Sequence, residues 1–324
     1  MLETGTGWRA ANSACRNRKK ELAFMCLYVC IDIGGTSIKY GLANAAGEFV
    51  HKASMPTEVA EKGAEILPVK IQEIVEGYRQ AGHTLSGVAV STAGMVNPES
   101  GCIVYAGDTF RGYTGMKLAE KVEMTLGLPC AVENDVNAAG LGELWLGAGR
   151  GASVLFCLTV GTGIGGCVII DGKLLHGAGN CAGEIGYMDL GGAREFQKMA
   201  AASSLVCKVA EAKGMPVSEV DGCKVFEWAK AGDAAAIRAI DDMIACLARG
   251  IANVCCVLNP EVVILGGGIM AQEAYIRPRL LKVLEKKMVP RVFKTTRIAF
   301  AERKNDAGML GALYNFLQRK EHKK

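Results

Sequence analysis

The sequence predicts an α/β protein assembled from two related halves. Two segments, 26–42 and 154–171, each read as strand, glycine turn, strand, one device used twice. Apolar β-rich runs alternate along the chain with stretches of helical period, the pattern of sheets covered by helices. A length of 324 residues, 50% hydrophobic and 22% charged, suits two domains or one large α/β unit. Internal duplication of this kind points to two α/β halves facing each other across a central cleft.

Each element follows from local chemistry. "CLYVCIDI" is β-rich, "GGTS" makes a turn, and "IKYGLANAAGEFV" alternates and turns again at Ala46-Gly47. In "GAEILPVKIQEIVEGYRQAG", Ile66, Val69, Ile74, Val75 and Tyr78 recur at helical spacing, and the segment stops at Gly82. "LSGVAVSTAGMV" reads as a buried strand ending in small residues. "CAVENDVNAAGLGELWLGAGRG" opens as a short strand and becomes a helix near Asn134, closed by the glycines of 147–151. The second round begins with "ASVLFCLTV", a strand, followed by the glycines of "GTGIGG" and then "CVIIDGKLLHG". "DAAAIRAIDDMIACLARGIANVCCVLN" is a long helix that stops before Pro260. "EVVILGGGI" is a strand ending in a third glycine cluster, and "NDAGMLGALYNFLQRK" is a capped terminal helix.

Composition narrows the function classes. The formal charge is +4, but residues 1–24 and 319–324 each carry +3, leaving about −2 for everything between. No basic face for nucleic acid is expected. No apolar run approaches the ~18–20 residues that cross a bilayer. The 13 cysteines are scattered, with no C-x-x-C and no Cys/His cluster of metal-site spacing. They read as reduced thiols of a cytoplasmic protein, with the adjacent pair Cys255-Cys256 as core. His51, His83, His176 and His322 show no metal-like spacing either. Residues 1–24 lack the apolar stretch of a secretory signal and read as a loose or non-native extension ahead of Met25.

Gly161, Gly163 and Gly166 in "TVGTGIGG" satisfy G-x-G-x-x-G, and Glu184 follows at roughly the ~20-residue distance of a ribose-binding carboxylate. A dinucleotide loop must run from its strand into a helix, whose N-terminus holds the pyrophosphate. Here β-branched residues and an Asp171-Gly172 turn follow, the signature of a hairpin. A nicotinamide oxidoreductase is therefore the weaker reading. Two glycine turns between antiparallel strands, one from each half, can instead grip a polyphosphate through backbone N–H groups that no Cβ blocks. Asp32, just before the first turn, adds a carboxylate suited to Mg²⁺ through water. Gly266, Gly267 and Gly268 would let an adenine or its ribose lie against bare backbone.

"DIGGTSIKYGL" resembles the first phosphate motif of the actin-like, hexokinase-type ATPases, whose fold is ribonuclease H-like. "GTGIGGCVIIDGKLLHGAGNCAGEIGYM" resembles the signature segment of the ROK family, and "ENDVNAAGLGE" is similar to that family's catalytic segment. The resemblance runs from about Met25 to Phe316. It implies a two-domain fold closing on ATP and a sugar, with a small α/β domain of residues 25–133 plus 305–324 and a large one of 134–304. It implies an ATP- and Mg²⁺-dependent sugar 6-kinase that works as a homodimer, with the sugar and ATP as small-molecule partners. The family's repressors carry a winged helix ahead of this body, and the 24 residues before Met25 are too few for one.

Residue by residue, Asp135 matches the general base that takes the proton of the acceptor hydroxyl, kept ionised by a helix N-terminus. Read on spacing alone, Asn134 and Asp135 serve equally as helix caps. Asn134 would anchor a neighbouring hydroxyl. Glu184 matches a residue that accepts hydrogen bonds from ring hydroxyls, and a carboxylate can serve a diol. Gly34, Gly35, Thr36 and Lys39 join Asp32 at the first phosphate site, and Gly161, Thr162 and Gly163 form the second. "STAGMVNPESGCIVYAGDTFRGYTG" resembles the sugar loop of the small domain, with Asp108 and Thr109 as candidate contacts.

The chain departs from the family at its zinc motif. Many members follow the glutamate with a His and a cysteine-rich segment ending in Glu. Here Tyr187 stands at the His position, "DLGGAREFQKMAAASSLV" has no cysteine, and Gln197 aligns with the closing Glu. No zinc is expected, and packing of Phe196, Met199 and Leu205 must hold the segment. Tyr187 and Gln197 would lie toward C1 and C2 of the sugar. An aromatic and an amide there suit a substrate that differs from plain glucose at C1 or C2, of β-glucoside or N-acetylmannosamine type. A non-catalytic sugar sensor of the same family is the alternative, and Asp135 with three intact glycine clusters argues against it.

Overall fold

The computed structural model describes residues 26–191 and 195–322, so the N-terminal extension lies outside the described residues. The described residues form two compact units, one of those up to Ala138 together with those from Gly308 onward, the other of those between Ala139 and Ala307.

The first unit is built on strands β1 (Leu27–Ile33), β2 (Ser37–Asn44), β3 (Phe49–Pro56), β4 (Leu85–Thr92) and β7 (Cys130–Asn134), with a small ribbon of β5 (Met95–Asn97) and β6 (Cys102–Tyr105). The main sheet is ordered β3-β2-β1-β4-β7. β1, β2 and β3 run antiparallel, while β1, β4 and β7 run parallel. Helix Ile66–Gln80 covers one face by burying Leu67, Ile71, Ile74, Val75 and Tyr78 against Val29, Ile31 and Ile33. Each such aliphatic side chain contributes about 1.5–3 kcal/mol by leaving water. The apolar stripe differs from the expected one at Val69, which is 56% exposed. Leu67 and Ile71 take the inward positions instead. The C-terminal helix Ala307–His322 closes the same unit: Phe316 packs edge-on to Tyr28 with centroids 5.4 Å apart, over Gly87, where a Cβ would strike the ring.

The second unit repeats this topology. Its strands are β8 (Val154–Val160), β9 (Ile164–Ile170), β10 (Lys173–Leu174), β11 (Val262–Gly266) and β12 (Arg297–Phe300), ordered β10-β9-β8-β11-β12. Again the first three pair antiparallel, and β8, β11 and β12 pair parallel. The hairpin after "GTGIGG" is therefore real. Val160 pairs with Ile164, and Asp171 (φ 50°) and Gly172 (φ 76°) form the tight turn into β10. Helix Ala234–Leu258 is the backbone of this core, capped by Asp233, whose carboxylate accepts from the amides of Ala235 and Ala236. It stops at Asn259, which takes φ 44° ahead of Pro260.

Phe196 and Leu205 are fully buried in the second core, and Met199 packs against it. Phe196 lies on Gly250 of the long helix, where any side chain would meet its ring. Aliphatic and aromatic packing thus holds this segment. Of the adjacent cysteines, Cys255 is buried but Cys256 is exposed, because neighbouring residues on a helix point about 100° apart and the core takes one. No helix among the described residues is long and apolar enough to cross a membrane.

Candidate active site

In the first unit the chemistry gathers at the C-terminal ends of the parallel strands, the edge where α/β sheets bind ligands. Asp32, Ser91 and Glu133 occupy one row across β1, β4 and β7, and the chain then leaves β1 as the glycine turn and β7 as Asp135. Two strand spacings, about 10 Å, separate those exits.

Asp135 opens helix Asp135–Leu146. Its Oδ1 accepts from Asn134 Nδ2 and from the Val136 amide, each at 2.9 Å. Asn134 is the helix cap as well. Its Oδ1 accepts from the amides of Val136 (2.9 Å) and Asn137 (3.0 Å), and its Nδ2 also donates to the Gly94 carbonyl at 2.9 Å. Both donor hydrogens and both acceptor directions of that carboxamide are engaged within the unit. Beneath them the fully buried Glu133 accepts from the Asn134 amide (2.9 Å) and Asn137 Nδ2 (3.0 Å) through Oε1. A strand-to-helix junction with Asn then Asp thus delivers a rigidly held carboxylate.

Asp32 accepts from Ser91 Oγ at 2.7 Å and stands opposite Lys39 in the β1–β2 register. Burial raises its pKa above the usual aspartate value, against the lowering effects of Ser91 and Lys39. The start of the C-terminal helix lies close: a Cβ on Gly308 would come within 2.8 Å of Asp32 Oδ1. A buried carboxylate is a fitting hard oxygen ligand for a hydrated Mg²⁺. The turn at Gly34-Gly35-Thr36 is exposed at Gly35 and Thr36. It is closed by the Gly34 amide donating to the Ser37 carbonyl at 3.0 Å. Asp108 is exposed, and its neighbour Thr109 reaches Gly35, with Cγ2 3.6 Å from where a Cβ would sit. The candidate sugar loop and the phosphate turn therefore adjoin.

In the second unit the turn Gly161-Thr162-Gly163 caps the β8–β9 hairpin, with the Gly161 amide donating to the Gly163 carbonyl at 2.9 Å. On one side lies the third glycine cluster. Gly266 pairs with Thr159, and Gly267 (φ 96°) rests on the Val160 backbone too closely for any Cβ. On the other lies helix Ala202–Lys213, whose first residues grip the turn. The Ala202 amide donates to the Gly161 carbonyl at 2.9 Å, and Ser203 Oγ to the Thr162 carbonyl at 2.6 Å.

Gly166 has a different task. Gly183 (φ 95°) lies directly on it, so the two glycines let the Glu184 segment cross β9. Glu184 is partly buried, and desolvation raises its pKa above the ordinary glutamate value. Gln197 joins the two parts of this site: its Oε1 faces Gly163 and Gly186, and its Nε2 donates to Glu195 at 3.2 Å. Tyr187 is 56% exposed.

The structure thus brings Asp32, Lys39, the first turn, Asp108, Asn134 and Asp135 to one unit, and Glu184, Tyr187, Gln197 and the other two glycine clusters to the second. Sequence reasoning missed Thr57, Ser91 and Ser203, which act through partners distant in the chain. It also missed Glu143, a buried carboxylate that accepts from the amides of Ala148 (2.8 Å), Glu302 (3.1 Å) and Arg303 (2.6 Å). Its one legible signal is the neighbouring Gly147, which has no room for a side chain beside it.

The sequence profile of the ROK family matches residues 28–319. A β-glucoside kinase of Listeria monocytogenes is 34% identical over 294 residues, covering 89% of this chain and 96% of the relative. Among solved structures, a ROK family protein of Streptococcus pneumoniae in complex with sucrose is 30% identical. It superposes with a TM-score of 0.79 over 91% of this chain and 99% of that one. A ROK family glucokinase of Streptomyces griseus, in complex with glucose and AMPPNP, is 26% identical with a TM-score of 0.76 over 89% and 98%. The actin-like topology repeated in both units, the glycine turns and these near full-length matches agree: the chain belongs to the ROK family.

Proposed function

We propose that this chain phosphorylates a hexose or hexose derivative from ATP at the 6-hydroxyl. The observation that carries the reading is Asp135, a carboxylate fixed by two hydrogen bonds at the first turn of a helix, two strands from a glycine turn on the same sheet edge. Phosphoryl transfer asks the protein mainly for positioning and charge stabilisation. Asp135 holds the acceptor hydroxyl and takes its proton as the γ-phosphoryl moves in line. Gly34–Thr36, Gly161–Gly163 and Gly266–Gly268 bind the nucleotide, and Asp32 would hold Mg²⁺. When bound, the metal neutralises phosphate charge. Glu184 accepts from a pair of ring hydroxyls.

Tyr187 and Gln197 set the sugar's identity. Tyr187 offers an exposed ring to an aglycone or second sugar, and Gln197 an amide to a glycosidic oxygen or N-acetyl group. The β-glucoside kinase relative supports a substituent at C1. A coupled assay of ADP release over glucose, cellobiose and N-acetylmannosamine is expected to show higher kcat/KM for a modified sugar. Strong preference for plain glucose rejects this specificity. The Asp135→Asn variant is expected to keep its fold and sugar affinity while kcat falls by about 10²–10⁴-fold. Turnover within a few-fold of the parent removes Asp135 from its role.

A further inference from the structure

Thr57 is not among the expected ligand contacts, yet it holds the first phosphate turn at two points. It follows Pro56 at the end of β3 and is fully buried. Its Oγ1 donates to the Gly34 carbonyl at 2.8 Å, and its amide to the Thr36 carbonyl at 3.1 Å. A trans peptide sets each carbonyl antiparallel to the N–H that follows it. With the Gly34 carbonyl drawn to Thr57, the Gly35 N–H is aimed to the opposite side, and Gly35 is an exposed residue. One buried hydroxyl thereby dictates which way the amide of a bare glycine points.

Thr57 is itself anchored. Glu58 takes φ 58° and is held by Lys70 at 2.6 Å and Lys62 at 3.1 Å. Arg111 Nη2 donates to the Ala60 carbonyl at 3.1 Å, and the Ala64 amide to the Arg111 carbonyl at 2.8 Å. The same short stretch, 57–64, therefore supports the phosphate turn at one end and the Asp108 loop at the other.

We propose that Thr57 is a positioning residue for the nucleotide, pre-orienting the Gly35 amide toward an ATP phosphate oxygen. The inference rests on the kinase reading of the turn, and its test separates the two. Thr57→Val keeps the shape and removes the donor; Thr57→Ser keeps the donor. For Thr57→Val, KM for ATP and the dissociation constant of AMPPNP are expected to rise about three- to tenfold, the worth of one net hydrogen bond. KM for the sugar stays within twofold, the melting temperature drops little, and Thr57→Ser restores the nucleotide affinity. Unchanged AMPPNP affinity overturns the proposal, as does a parallel loss of sugar and nucleotide affinity that Thr57→Ser fails to rescue. A parent protein that binds AMPPNP but transfers no phosphate refutes the kinase reading while leaving the Thr57 comparison decisive.

Discussion

In the role proposed for it, Glu184 is under opposed demands. Recognition of a sugar diol wants the carboxylate ionised, while partial burial favours its neutral form and raises its pKa. A folded-state pKa above the unfolded value means that this group's stabilising contribution is full below the unfolded pKa and is lost as pH rises through the folded one. Glu184→Gln removes that dependence. The variant is expected to melt above the parent near pH 7–8, with the gap closing as both are acidified toward pH 4. Asp32 titrates with the same sign but is common to both proteins and cancels in the comparison. KM for the sugar rises in the variant, because an amide accepts through one oxygen only. A melting difference independent of pH sinks the argument. At this scale the sequence was partly transparent. Asn134 and Asp135 announce themselves as a polar pair where a strand becomes a helix. Thr57 does not, because its partner Gly34 lies 23 residues away and a lone threonine after a proline has many uses.

Among the elements, those with a strong period or strong punctuation were legible and those without were not. The β8–β9 hairpin could be told from a dinucleotide loop because β-branched residues and Asp171-Gly172 follow the glycines. The duplicated sheet was legible from two strand–turn–strand units. Helix Glu273–Lys287 was not, since Pro278 falls inside it and charged residues crowd the stripe of Ile276, Leu280 and Leu284 that is fully buried. Helix Phe196–Ala200 was legible only as a departure from a zinc motif, and its support comes from tertiary packing. Phe196 is fully buried over Gly250, so Phe196→Ala leaves a cavity at the joint between two helices. A loss of about 3–5 kcal/mol is expected in denaturant unfolding. Because Gln197 rides on the same short helix, KM for the sugar should rise with it. A loss below about 1 kcal/mol would show that the segment is held by something other than this packing.

The molecule as a whole repeats one topology, so each unit carries its own glycine turn at the same place in its sheet. Duplication alone would permit two independent phosphate sites. The function proposed above assigns both turns to one nucleotide. Thr36 and Thr162 stand at the tips of the two turns, both exposed, and each can offer a hydroxyl to a phosphate oxygen. Titration calorimetry with AMPPNP is therefore expected to give one nucleotide per chain, and Thr36→Ala and Thr162→Ala should each weaken that one event by about fivefold, near the worth of a neutral hydrogen bond. Ser203 holds the carbonyl of Thr162 rather than its side chain, so the second substitution leaves the turn's support in place. Two nucleotides per chain, or one affinity insensitive to either threonine, would mean that the repeated turns have parted in function and that only one of them serves the transferred phosphate.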